Sequence, residues 1–191
     1  MQGTTVLFIF SLIKIVLGCS PLVTHDQTTY CRAAYVFTGK VQRSNTMGFQ
    51  SDFQIRVTSN VKGKIASKGR EITVYGKGDM HPCGFTSLRI NKEYILFVSI
   101  DEASAAKKIK IIDYQEMSQT TLNSMRNYDC SCVIEINLPQ QSTPYTDIAA
   151  RNKCVITEKE HDCTFKNGYC SRKHSRFGTR VCQWIPGVTN C

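Results

Sequence analysis

The chain is short of the signatures by which enzymes and membrane proteins announce themselves. It has no Gly-x-Ser-x-Gly elbow, no His-Glu-x-x-His and no glycine-rich phosphate loop, so no catalytic activity is expected. It also lacks the paired Cys-x-x-Cys knuckles that a structural zinc site would want. No second apolar run follows the first, there is no internal repeat or coiled-coil heptad, and no Asn-x-Ser/Thr sequon occurs, which excludes N-glycosylation. Tryptophan occurs once, at Trp184. Neither a membrane span nor a nucleic-acid partner is expected, and no cofactor of the chain's own.

What is present is 191 residues, 41% of them apolar, enough for one ordinary domain and a small appendage. Val6 to Leu17 is an apolar run too short to cross a bilayer, interrupted by Lys14, with small Gly18 after it; residues 1–18 read as a signal peptide cut after Gly18. A hydrophobic strand or anchor is the plainer alternative. Val-Leu-Gly-Cys also looks like a lipobox, but no Lys or Arg precedes the run, and ten cysteines are retained after the cut. An even cysteine count in an exported chain means disulfides, and the chain is expected in the extracellular space or matrix.

Lys and Arg number 24 against 15 Asp and Glu. A basic cluster in the last third, Lys166, Arg172, Lys173, His174, Arg176 and Arg180, suits sulfated glycans or another acidic matrix surface, though a merely solvated face has the same composition.

Along the chain, Tyr30 to Val41 begins with helical spacing and turns into a strand. Asp52 to Ser59 alternates Phe53, Ile55 and Val57 with polar neighbours, and Glu71 to Tyr75 repeats that period of two. Tyr94 to Ile100 is a continuous apolar run expected of a central strand, and Lys108 to Tyr114 is expected to be another. Gly63, Gly69, Gly76, Gly78 and Gly84 are read as turn residues. Ser118 to Tyr128 predicts a short helix capped by Ser118 with Leu122 and Met125 on one face. Five short strands with flanking helices predict a mostly β protein built on a small closed barrel of the OB type. After Cys132 the composition changes. Leu138 to Asp147 looks like a linker, and five cysteines then fall within 38 residues, so 133–191 reads as a small disulfide-held subdomain after a barrel domain at 19–132.

The predicted mature chain opens Cys19, Ser20, Pro21, Leu22, Val23, Thr24, His25, Asp26, Gln27, Thr28, Thr29, Tyr30, Cys31. This opening is similar to the start of the tissue inhibitors of metalloproteinases, with two cysteines at the same separation, His and Gln at matching positions and an aromatic before the second cysteine. The likeness continues through Ala34 to Val41, at Cys83-Gly84, at Lys92 to Leu96, at Asp129-Cys130-Ser131-Cys132 and faintly at Cys182-Gln183-Trp184. It implies a netrin-like barrel and a secreted inhibitor of zinc metalloproteinases of the matrix type. It also implies bridges Cys19–Cys83 and Cys31–Cys130, the remaining pairs lying among Cys132, Cys154, Cys163, Cys170, Cys182 and Cys191. Protease contact is implied for Cys19, Ser20, Pro21, Leu22 and for Met80, His81, Pro82 and Cys83 beside them.

The chemistry of such an opening is elementary. A free α-amine and its own carbonyl oxygen form a five-membered chelate, and a catalytic zinc held by three protein ligands keeps one position open for it. The amine's ordinary pKa lies near about 7.7–8.0, so metal displaces only a loosely held proton at neutral pH. The chelate also expels the water that the protease needs as nucleophile.

One departure from the family is clear. The third cysteine expected two residues after the first is Pro21, and its partner's position falls near Ile112. Loss of both together is what a dropped bridge looks like, and a weaker or narrower inhibitor is expected. Pro21 stiffens the tip but withdraws one N–H. The alternative from another class is a non-inhibitory netrin-like module that binds matrix or glycan. His25 and Gln27 are read as helix-surface or packing residues, His81 as an exposed turn residue, His161 and His174 as without a role, and Trp184 as an anchor of the small module's core.

Overall fold

The computed structural model describes residues 24–137, 151–157, 168–174 and 178–185. The predicted signal peptide, the warhead residues Cys19 to Leu22, the predicted linker, and Cys163, Lys166, Arg176 and Cys191 lie outside the described residues. Among the described residues the protein is mostly β, with two short helices. Helix α1 (Asp26–Arg32) leads into β1 (Tyr35–Met47), β2 (Gln50–Lys62), β3 (Glu71–Lys77), β4 (Glu93–Asp101) and β5 (Lys108–Glu116), then α2 (Gln119–Met125). The five strands pair in the order β1-β2-β3-β5-β4 and close as β4 returns to β1. All pairs are antiparallel except β3 with β5, which meet in parallel at Tyr75 and Lys110.

Two apolar cores explain the strand sequences. Phe37, Val41, Phe53, Ile55, Val57, Val74, Tyr94, Leu96 and Val98 fill the inside of the closed sheet. Ala33, Val36, Ile95, Phe97 and Met125 form a second core outside it, with Tyr30 of α1 and Leu122 of α2 packed on. Strand β4 is therefore buried on both faces, which is why it reads as one unbroken apolar run. From Phe53 to Val57 strand β2 faces the first core alone, and its alternation of Phe53, Ile55 and Val57 is correspondingly clean, while Val61 near its end packs on the second.

Strand β5 forms where 108–114 predicted a strand, between β3 and β4, but it is less buried than β4. Ile109 and Ile111 pack inward against the first core, but Lys110 faces out and Ile112 is 45% exposed. A register shift opposite Phe97 and Val98 sets Ile112 apart from the ladder, so hydrophobicity alone overstated this strand's burial. The turn reading holds for Gly63, Gly69 and Gly84, all at positive φ, but not for Gly76. Gly76 lies inside β3, where a Cβ would come within 2.6 Å of Thr86 Oγ1; the glycine is there for close approach.

The helices are held by side chains at their ends. Ser118 caps α2, its hydroxyl accepting from Thr121 N–H. At the other helix, His25 caps the start and Lys62 the finish. Lys62 Nζ donates to the carbonyls of Tyr30 (2.8 Å), Cys31 (2.9 Å) and Ala33 (2.7 Å), groups that a helix C-terminus leaves without partners.

Beyond Cys132 a second lobe is built from two small sheets. β6 (Val133–Asn137) pairs in parallel with β7 (Lys153–Thr157), and β8 (Tyr169–His174) pairs antiparallel with β9 (Arg180–Ile185). Bridges Cys132–Cys182 and Cys154–Cys170 form its centre, with Ile134 and Trp184 against them. Trp184 Nε1 donates to Val155 O at 2.9 Å, which satisfies the one polar atom of the indole. Among the described residues no helix is long and apolar enough to cross a membrane.

Candidate functional site

The ridge expected beside the amino terminus is built by a tight backbone contact. The β1–β2 hairpin turns at Gly48, and its tip lies on the segment that leaves β3. Gly78 N–H donates to Phe49 O at 3.0 Å and Met80 N–H to Gly48 O at 2.9 Å. A Cβ on Gly78 would stand 2.1 Å from Gly48 O, so only glycine allows this contact. From there Met80 to Cys83 run across the surface. Met80 is 65% exposed, Pro82 and Cys83 are exposed, and His81 is half-buried.

Side chains brace the ridge from below. His81 Nδ1 accepts from Cys83 N–H at 3.1 Å, which assigns the neutral ring's proton to Nε2. His81 closes this turn rather than standing in isolation. Lys77 Nζ donates to Cys83 O at 3.3 Å, and Thr86 closes the loop by exchanging bonds with Lys77: its N–H donates to Lys77 O, and its Oγ1 accepts from Lys77 N–H. Cys83 is itself disulfide-bonded, to a partner outside the described residues. Exposed Met47, Phe49, Met80 and Phe85 stand on the hairpin tip and this loop. That is an unusual amount of large apolar surface for one edge of a small sheet, and such surface marks contact sites.

Helix α1 carries the residues that follow the predicted warhead. Its first turn is buried rather than on the surface: His25 is 1% exposed and Gln27 fully buried. His25 Nδ1 accepts from Gln27 N–H at 3.1 Å. Cys31 is bridged to Cys130, the same pair that the family resemblance implies. Ile112, near where the family resemblance would put a second bridge, lines an open cavity of about 420 Å³ together with Thr24, Thr29, Arg32, Ser99 and Asp113. Burial pushes the Asp113 carboxyl up from the usual carboxylate range, and the charge of Asp26 adds to it.

The basic cluster is divided by the hairpin that carries it. Arg172 lies opposite Cys182 and His174 opposite Arg180, on one face of β8 and β9, whereas Lys173 points to the other. Arg172 is also occupied: Nε donates to Ser131 Oγ, and Nη2 to Ser131 O and Asn152 Oδ1, each at 3.1 Å. Lys173 and Arg180 are exposed, the latter with Nε 3.4 Å from His174 Nε2. Among the described residues, the sulfurs of Cys132, Cys170 and Cys182 come close enough to hold a metal, but all three are disulfide-bonded and offer no thiolate.

Two residues that the family likeness includes have contacts at the junction of the lobes that the sequence did not show. One is Gln27. The other is Asp129, whose Oδ1 accepts from Ser131 N–H and Oγ and whose Oδ2 accepts from Arg172 N–H at 3.0 Å. The Ser131 hydroxyl above all, then the two backbone N–H groups, hold the Asp129 carboxyl below the usual carboxylate range against an opposing effect of burial. An unfolded Asp titrates near about 3.9, so the stability this carboxylate contributes is full above that value and is lost as pH falls through the lower folded value. Asp129→Asn is therefore expected to be less stable than the parent at about neutral pH, with the gap closing as pH falls below the usual carboxylate range. Urea midpoints of both proteins across that range check this, and a gap independent of pH contradicts it. Comparison with protein-family models and with curated proteins finds no match for the chain.

Proposed function

We propose that this chain is a secreted inhibitor of zinc metalloproteinases of the matrix type, folded as a netrin-like barrel of the OB kind with a disulfide-rich second lobe. It acts through the α-amine and carbonyl of a mature N-terminal Cys19. The observation that carries the proposal is the Met80–Cys83 ridge: exposed, braced by Lys77 and His81, pinned to the hairpin tip, and ending in a disulfide-bonded cysteine. Cys19 is the partner proposed for Cys83. That bridge would lay the free terminus along the ridge, where Ser20 enters the pocket for the residue after the scissile bond and Met80 and Pro82 flank it.

In this arrangement the protease supplies the zinc and the inhibitor the chelate. The two donor atoms of Cys19 take the coordination position of the attacking water, so hydrolysis cannot start. Apolar Met47, Phe49 and Phe85 extend the contact beyond the metal and give the complex buried area that a chelate alone lacks.

Two measurements on secreted material test the proposal. N-terminal sequencing is expected to start at Cys19, and titration against several matrix-type metalloproteinases to show stoichiometric loss of proteolysis for at least one. A different first residue removes the warhead. Binding to sulfated glycan without inhibition of any enzyme in the set would favour the matrix-binding module instead.

A further inference from the structure

Gln27 lies in the first turn of α1 with no exposure to solvent, yet its side-chain amide bonds to neither the helix nor the barrel strands. Nε2 donates to Cys170 O at 2.7 Å and to Asp129 O at 3.0 Å, and Oε1 accepts from Cys170 N–H at 2.7 Å. The paired bonds to Cys170 copy what a neighbouring peptide group would give, so the amide serves β8 as a substitute strand partner. Cys170 is fixed in turn by its bridge to Cys154. His25, two residues earlier, packs its ring on Trp184 with centroids 5.3 Å apart, and Trp184 is tied to Val155.

Helix α1 has seven residues, far below the length at which a helix sustains itself in water. Its far end is held by the barrel side, through Lys62 and the Cys31–Cys130 bridge. Its near end, where the chain from Cys19 arrives, is held by Cys170 and Trp184 of the second lobe.

We infer that the second lobe is a clamp on the amino-terminal segment and that Gln27 and His25 are positioning residues for Cys19. The inference rests on the inhibitor reading. Cys19 lies five Cα steps from Thr24, and an unrestrained segment of that length reaches up to about 17 Å. Each residue left free loses conformational entropy when it is ordered on binding. A fixed first turn shortens the free part of the segment, and so does the work of the brace that Pro21 and Ile112 do not form.

The test uses the full-length chain with Gln27→Leu, Trp184→Ala, Trp184→Phe and His25→Asn. His25→Asn keeps a side chain able to cap the helix and removes the ring contact. Two readouts are taken well below the unfolding midpoint: amide hydrogen exchange along the chain, and the inhibition constant for a metalloproteinase that the parent inhibits. Gln27→Leu and Trp184→Ala are expected to speed exchange at Gln27 to Cys31 at least tenfold while β4 amides keep their protection. The inhibition constant is expected to rise tenfold or more, with Trp184→Phe restoring most of both and His25→Asn falling between. A merely structural contact would lower the unfolding midpoint and leave the constant unchanged. Unaltered exchange at α1 overturns the clamp; faster exchange with an unchanged constant overturns the positioning role. If the parent inhibits no metalloproteinase, the positioning role falls with the inhibitor reading, while the exchange data still decide by themselves whether the lobe holds the helix.

Discussion

A single alanine placed ahead of Cys19 is expected to weaken inhibition of a matrix-type metalloproteinase by more than about a hundredfold, some 2.7 kcal/mol at about 1.4 per factor of ten. The thermal midpoint should not move. The reasoning is geometric. A zinc–nitrogen bond is about 2.0–2.1 Å long, and adding a residue carries the amine one Cα step, about 3.8 Å, from its place. The nitrogen left beside the Cys19 carbonyl is then an amide, whose lone pair is delocalised and cannot replace the amine as a ligand. Acetylation of the mature terminus removes the same donor with fewer added atoms and should match the alanine. Any affinity for sulfated glycan should survive both changes, since neither alters the exposed cations Lys173 and Arg180. Equal inhibition by the native and extended proteins would rule out chelation whatever else the ridge contacts.

How much of this was legible beforehand depends on the range over which each feature is determined. The β4 run from Tyr94 to Val98 was readable because burial on both faces leaves no polar position, and the Ser118 cap because its partner Thr121 is three residues away. The Lys108–Tyr114 run interleaves its isoleucines with Lys108, Lys110 and Asp113, and its outer face is uncovered. Whether a second core lies over a strand is decided by helices elsewhere in the chain. Gly76 was taken for a turn because composition cannot distinguish a glycine that bends from one that makes room, here for Thr86.

The site shows the same division. Met80 to Cys83 was read from family likeness, whereas the long-range contacts that hold α1 were not visible. Gln27 meets Cys170 across 143 positions, and Lys62 meets the carbonyls of α1 from about thirty positions away. Neither carries a periodic or spaced signal. The basic cluster is different: Tyr169 to His174 is a strand, and period two alone sends Lys173 to the face opposite Arg172 and His174. Recognising a strand there would have divided the cluster before any coordinates were at hand.

Removing the Cys31–Cys130 bridge is expected to be the most destabilising loss of a disulfide among the three described in full. Its ends are 99 residues apart, against 50 for Cys132–Cys182 and 16 for Cys154–Cys170. In the chain-entropy account these loops correspond to about 4.7, 4.1 and 3.1 kcal/mol. The first figure approaches the whole stability of a marginal domain, about 5–15 kcal/mol, and at about 2–4 °C per kcal/mol it lowers the midpoint by about 10–20 °C. Cys31 is half-buried and Cys130 exposed, so a Cys31→Ala, Cys130→Ala protein opens no cavity, and the loss comes mainly from the freed chain. The two bridges of the second lobe differ in this respect. Their four cysteines are buried against one another, so alanine there removes packing as well as a cross-link, which narrows the gap in cost. Thermal melts of the three double-alanine proteins therefore separate two accounts of what holds the fold. A larger loss for Cys31–Cys130 than for Cys154–Cys170 means that closure of the barrel chain dominates. The reverse order means that the small sulfur core of the second lobe, and through Gln27 its grip on α1, contributes more than loop length does.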